Sequence, residues 1–96
     1  SEEGSSVRVL GQIIQVQGDW LEAKRYFAQS VAILAEVGEE YELARSRYAL
    51  ALVLYELGKI EQARPLLTQA ASTFQRLEAQ IDLTAVTNLQ ARLQIA

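Results

Sequence analysis

The densest group of reactive side chains is Glu39, Glu40 and Glu42. Carboxylates so close in sequence can hold a hard metal ion or act as an acid–base pair, provided that they converge on one point. On a helix they do not, because adjacent residues diverge by about 100°. Acidic residues on a first helical turn also oppose the positive end of the macrodipole, so a solvated helix start explains the cluster without a ligand. The chain of 96 residues contains neither histidine nor cysteine. Those absences remove the usual general base near neutral pH, the commonest metal ligand, and any thiolate site or disulfide. No glycine-rich phosphate loop and no Gly-x-Ser-x-Gly elbow occurs. We therefore expect a chain that is not an enzyme, with no metal and no cofactor.

Half of the residues are hydrophobic and the net charge is -3, which suits a single soluble domain with a modest core. Arginine and lysine are scattered among glutamates, so a phosphate backbone would meet no basic stripe and direct nucleic-acid binding is not expected. The longest uncharged apolar run, Tyr48 to Tyr55, is far shorter than the roughly 20 residues of a bilayer crossing. We expect no membrane span and a cytoplasmic location. The chain opens at Ser1 without a methionine and stops at Ala96 inside an amphipathic pattern, and we expect a fragment of a longer protein.

The elements that would carry any binding residues are helices. Val7, Leu10, Ile13 and Ile14 recur at spacings of three and four, predicting a first helix over 5–17 with Ser5 or Ser6 as its cap. Gly18 stops it, and Asp19-x-x-Glu22 reads as a capping box for a second helix bearing Ala23, Tyr26, Phe27, Val31 and Leu34. Gly38 ends that helix, a third runs to Leu57, and Gly58 separates it from a fourth that carries Ala63, Leu67, Ala70 and Phe74. Pro65 falls early in the fourth helix, where it predicts a slight bend and no break. Leu83, Val86, Leu89 and Leu93 stripe a fifth helix. Links of two or three residues make successive helices antiparallel neighbours.

Two of these hairpins spell the same packing order. Leu10-Gly11-x2-Ile14, Gly18 and Ala23-x3-Phe27 return forty residues later as Leu50-Ala51-x2-Leu54, Gly58 and Ala63-x3-Leu67. This resembles the tetratricopeptide repeat, whose spacing is W-x2-L-G-x2-Y, A-x3-F and a closing P. Val7 or Arg47 replaces the first aromatic, Ala35 and Gln75 replace the proline, and the period is 40 where the family's is 34. The chain is similar to the forty-residue variety of bacterial multidomain regulators and signalling ATPases. The resemblance implies an all-α fold of antiparallel hairpins in a right-handed solenoid of about two and a half repeats: 1–38, 39–78, and the first helix of a third over 79–96.

The resemblance also implies a function. First helices of successive hairpins line a concave groove, which makes the chain a non-catalytic scaffold for a peptide or a partner protein. Transferred residue by residue, the groove positions are Arg8, Gln12 and Gln15, then Arg45, Tyr48, Leu52 and Tyr55, then Asn88 and Arg92. Tyr48 and Leu52 stand where chaperone-binding members clamp a terminal carboxylate, so that clamp is not implied, although the arginines suit an acidic segment. The alternative for Tyr48 and Tyr55 is plain packing against a neighbouring helix. The alternative function is a structural or self-association module inside a bacterial transcription or signalling regulator. Val9, Ile13 and Val16 give the first helix a second apolar side, expected to meet an upstream repeat or a second copy in a homo-oligomer, since a terminal repeat needs a polar outer face.

Overall fold

The computed structural model describes residues 2–95; Ser1 and Ala96, the outer limits of the expected repeats, lie outside them. Five helices follow one another: α1 (Glu2–Val16), α2 (Trp20–Val37), α3 (Glu40–Glu56), α4 (Ile60–Arg76) and α5 (Gln80–Ile95). No strand occurs among the described residues. Each helix packs on the next in the chain, and α1 and α5 also touch α3. The result is a helical-repeat solenoid of two hairpins and a fifth helix.

Two cap expectations change. α1 already runs from Glu2, so Ser5 and Ser6 lie inside it and cap nothing; Ser5 Oγ instead donates to Glu42 on α3 at 3.1 Å. At α2, Asp19 accepts from the Glu22 backbone N–H at 3.1 Å as expected, but the Glu22 carboxylate pairs with Arg25. Only half of the box forms, because a charged partner one turn on outcompetes the Asp19 backbone for that carboxylate. Pro65 sits within α4 without interrupting it.

The turns fall on a twenty-residue beat. Gly18, Gly38 and Gly58 have φ of 87°, 75° and 77°, and Glu78 follows at 58°. A side chain in this left-handed region costs about 1 kcal/mol or more, and glycine avoids it. Glu78→Gly is therefore expected to stabilise the fold by about 0.5–1 kcal/mol after the added freedom of the unfolded chain is counted. A thermal melt should show a rise of several degrees.

Two apolar clusters hold the stack. Ala23 and Phe27 of α2 meet Ala49 and Val53 of α3, with Ile14, Trp20, Leu50 and Leu57 around them. Ala63, Leu67, Ala70 and Phe74 of α4 join Ala44, Ala51 and Leu54 of α3 to Val86, Leu89 and Leu93 of α5. Within the first hairpin the contact is close: a Cβ on Gly11 would lie 2.8 Å from the Phe27 ring, and one on Gly4 2.6 Å from Leu34. At the matching joint of the second hairpin, Ala51 faces the region of Leu67. On the fifth helix Val86, Leu89 and Leu93 form the buried stripe, and Ile81 and Ile95 are exposed outside it.

Candidate functional site

Arg8, Gln12, Gln15, Arg45, Tyr48 and Leu52 line one depression, together with Ala49, Phe74, Asp82 and Ala85. Its floor is α3, and α1 and α5 form its walls. Of the nine groove positions expected, Tyr55, Asn88 and Arg92 lie outside this lining. The Arg92 guanidinium stacks on the Tyr55 ring, 4.9 Å from its centroid, which carries the surface on toward the end of α5.

Tyr48, Leu52 and Tyr55 pack against the second cluster and stay half-buried, so each is core on one side and surface on the other. Gln12 and Asn88 are exposed and Gln15 is half-buried.

Arg8 behaves differently from an ordinary groove arginine. It is 5% exposed, and its guanidinium reaches across to α3. Nη2 pairs with the Glu42 carboxylate at 2.6 Å, while Nη1 donates to the Glu42 backbone carbonyl at 3.4 Å and to Ser46 Oγ at 3.5 Å. Ser30 Oγ lies 2.7 Å from Ser46 Oγ and donates to the Gly4 carbonyl at 2.8 Å. With the Ser30 proton so engaged, Ser46 donates to Ser30, and the polar chain runs unbroken from α1 through α3 to α2. Arg8 Nε alone finds no hydrogen-bond partner among the described residues. Arg8 is thus a strut between helices whose charge Glu42 neutralises.

Desolvation pushes the Glu42 carboxyl upward, but the hydrogen bond and charge of Arg8, with Ser5 and Arg45, outweigh it and hold the group below its ordinary value. Arg45 Nη1 stands 3.9 Å from Glu42 and its guanidinium lies 5.8 Å from the Tyr41 ring centre. Tyr41 in turn donates to Asp82 at 2.7 Å, and that hydrogen bond raises the phenol's pKa. Asp82 is the periodic equivalent of Glu42 and Ala85 that of Arg45, so the forty-residue step was the signal that could have found both. Phe74 and Ala49 carry no such signal: both are buried in the two apolar clusters and meet the depression only at its base.

Chemically the site offers hydrogen bonds, apolar contact and a few cations. The depression has about 190 Å³, below the ~300–1,000 Å³ of pockets that enclose a small molecule or cofactor. One or two side chains of an extended ligand fit it. No group of three metal-ligating side chains converges among the described residues, and no described helix is long and apolar enough to cross a membrane.

Comparison with known families matches the tetratricopeptide repeat to residues 5–76, from the first turn of α1 to the end of α4. The chain belongs to the tetratricopeptide repeat family. No curated protein and no solved structure matches it. Tetratricopeptide repeats generally mediate protein–protein interaction and are non-enzymatic scaffolds, in keeping with a motif made only of packing residues. The forty-residue step of this tetratricopeptide chain comes from its helices of 15 to 18 residues and its left-handed turns.

Proposed function

We propose that the chain is a non-catalytic interaction module that takes an extended segment of a partner protein along the α1–α3–α5 groove. The observation that carries this reading is the depression itself: six residues expected from the groove positions line it, with Tyr48 and Leu52 as apolar floor and Gln12 and Gln15 as amides on one wall. Apolar anchors supply affinity in such a site and polar groups fix register. Arg45 and Arg92 favour an acidic residue in the ligand, whereas Arg8 contributes through position and not through free charge. The forty-residue period supports a place inside a cytoplasmic multidomain regulator of the bacterial kind.

The test is selection of peptides from a random display library, followed by titration against groove variants. Leu52→Glu with Gln12→Ala should weaken selected peptides at least tenfold, while circular dichroism shows an unchanged helical content. Val9→Ser, outside the lining of the depression, should leave affinity intact. Peptides indifferent to the groove pair and lost with Val9→Ser would overturn the proposal.

A further inference from the structure

The way α3 receives the first hairpin is repeated on α5, and the corresponding positions stand uncovered on α1. On α3, four positions meet the preceding hairpin. Glu42 accepts from Arg8 of α1, Ser46 is bonded to Ser30 of α2, and Ala49 and Val53 pack on Ala23 and Phe27. Forty residues on, α5 presents Asp82, Val86, Leu89 and Leu93. Asp82 accepts from Tyr41 of α3, and the other three are buried in the cluster that contains Ala63, Leu67, Ala70 and Phe74 of α4. In both cases the acid is held by the first helix of the preceding hairpin, and the receiving helix packs chiefly on the second.

Forty residues earlier the series reads Glu2, Ser6, Val9 and Ile13. Glu2 and Ser6 are exposed, Val9 is 48% exposed and Ile13 52%. Their counterparts Ala49 and Val53 are 7% and 0% exposed. Leu10 shows the same contrast, exposed on α1 where Leu50 on α3 is half-buried between the two clusters. Side chains of three sizes, Val, Ala and Leu, occupy the third position, so nothing in the bulk of Val9 prevents the same docking. Val16 shares this face with Val9 and Ile13, but its counterpart Glu56 is exposed inside the stack, so docking of the kind seen on α3 does not reach it.

We propose that the outer face of α1 receives a further helical hairpin of this repeat kind, placed as the first hairpin is placed on α3. The chemistry required of the occupant can be read from the two ridges that already fill this role. Ala23, Phe27, Ser30 and Leu34 on α2, and Ala63, Leu67, Ala70 and Phe74 on α4, are all buried and share one spacing: small, x3, large apolar, x2, small, x3, large apolar. The occupant's second helix carries that ridge, and its first helix carries a donor for Glu2. A second copy of the folded chain cannot supply it, because both of its ridges are covered, α2 by α3 and α4 by α5. This inference is independent of the groove.

The probe is the chain's own hairpin, a copy of residues 1–40 fused ahead of the full chain so that the period is kept. Amide exchange in the original α1 should slow tenfold or more, and the melting temperature should rise. Val9→Asp with Ile13→Asp should leave the unfused chain's melting nearly unchanged, since both sites are open there, and should abolish the gain in the fusion. Unchanged exchange in α1, or indifference of the fusion to that pair, overturns the proposal. So does a concentration-dependent dimer of the unfused chain that the same pair dissolves, because the occupant is then a second copy. The groove peptides of the preceding test are read separately, and their failure would leave this outcome untouched.

Discussion

Phe27→Ala is expected to cost about 3–5 kcal/mol, the range for truncating a fully buried aromatic. That is a large part of the roughly 5–15 kcal/mol that a domain of this size holds. Phe27 is fully buried, lies under Gly11 of its own hairpin and packs on Ala49 and Val53 of the next, so its loss opens two joints at once. Urea unfolding followed by circular dichroism reads the change as a lower midpoint. A companion experiment separates volume from hydrophobicity. Gly11→Ala gains about 1 kcal/mol of helix propensity, but its Cβ would meet the ring at 2.8 Å, and crowding a packed core costs about 1–3 kcal/mol. The single change should be neutral to destabilising. In a Phe27→Leu background it should become stabilising, because alanine and leucine are the residues at those two positions in the second hairpin. A Gly11→Ala effect that is the same in both backgrounds would refute the close-contact account.

Arg8→Met should destabilise by about 2–3 kcal/mol near neutral pH, as the loss of charge-assisted hydrogen bonds that leaves a partly buried carboxylate without its cation. Three-quarters of the Glu42 side chain is covered, at 25% exposure, so solvent recovers part of the loss and the value stays below that of a fully buried pair. The same pair sets a pH dependence. The folded-state pKa of Glu42 is lowered, so its contribution is fully present above the unfolded value and disappears as pH falls through the lower folded one. Midpoints measured from pH 7 down to pH 3 should decline in the parent and decline less in Arg8→Met. Parallel curves for the two proteins would show that Glu42 gains nothing from Arg8.

Much of the architecture was legible because packing residues recur. Gly18, Gly38 and Gly58 marked the turns, and Ala23, Phe27, Ala63 and Leu67 occupy the core positions their spacing predicted. The start of α1 was not legible, since Ser5 and Ser6 have the chemistry of caps and only the approach of α3 assigns Ser5 to Glu42. The burial of Arg8 was hidden for a related reason. Arginine is seldom fully buried unless paired, and its partner is 34 residues distant. Asp82 and Ala85 follow from the period once Glu42 and Arg45 are placed, whereas Phe74 comes from α4, a helix that supplies no groove position in the repeat pattern. The apolar second side at Val9 and Ile13 was legible in the sequence, as was their correspondence with Ala49 and Val53 through the forty-residue step, but the burial of those two against the preceding hairpin needed the coordinates.

The unequal pairing of Gly11 with Phe27 and of Ala51 with Leu67 has a consequence for assembly. Repeated sequences risk docking the wrong copy of an element during folding or between molecules. Were α1 to meet α4, a void would open where leucine falls short of glycine; were α3 to meet α2, phenylalanine would strike an alanine methyl. Mismatched shapes thus make swapped arrangements less stable than the correct one, and each hairpin carries its own proofreading in the sizes of two side chains.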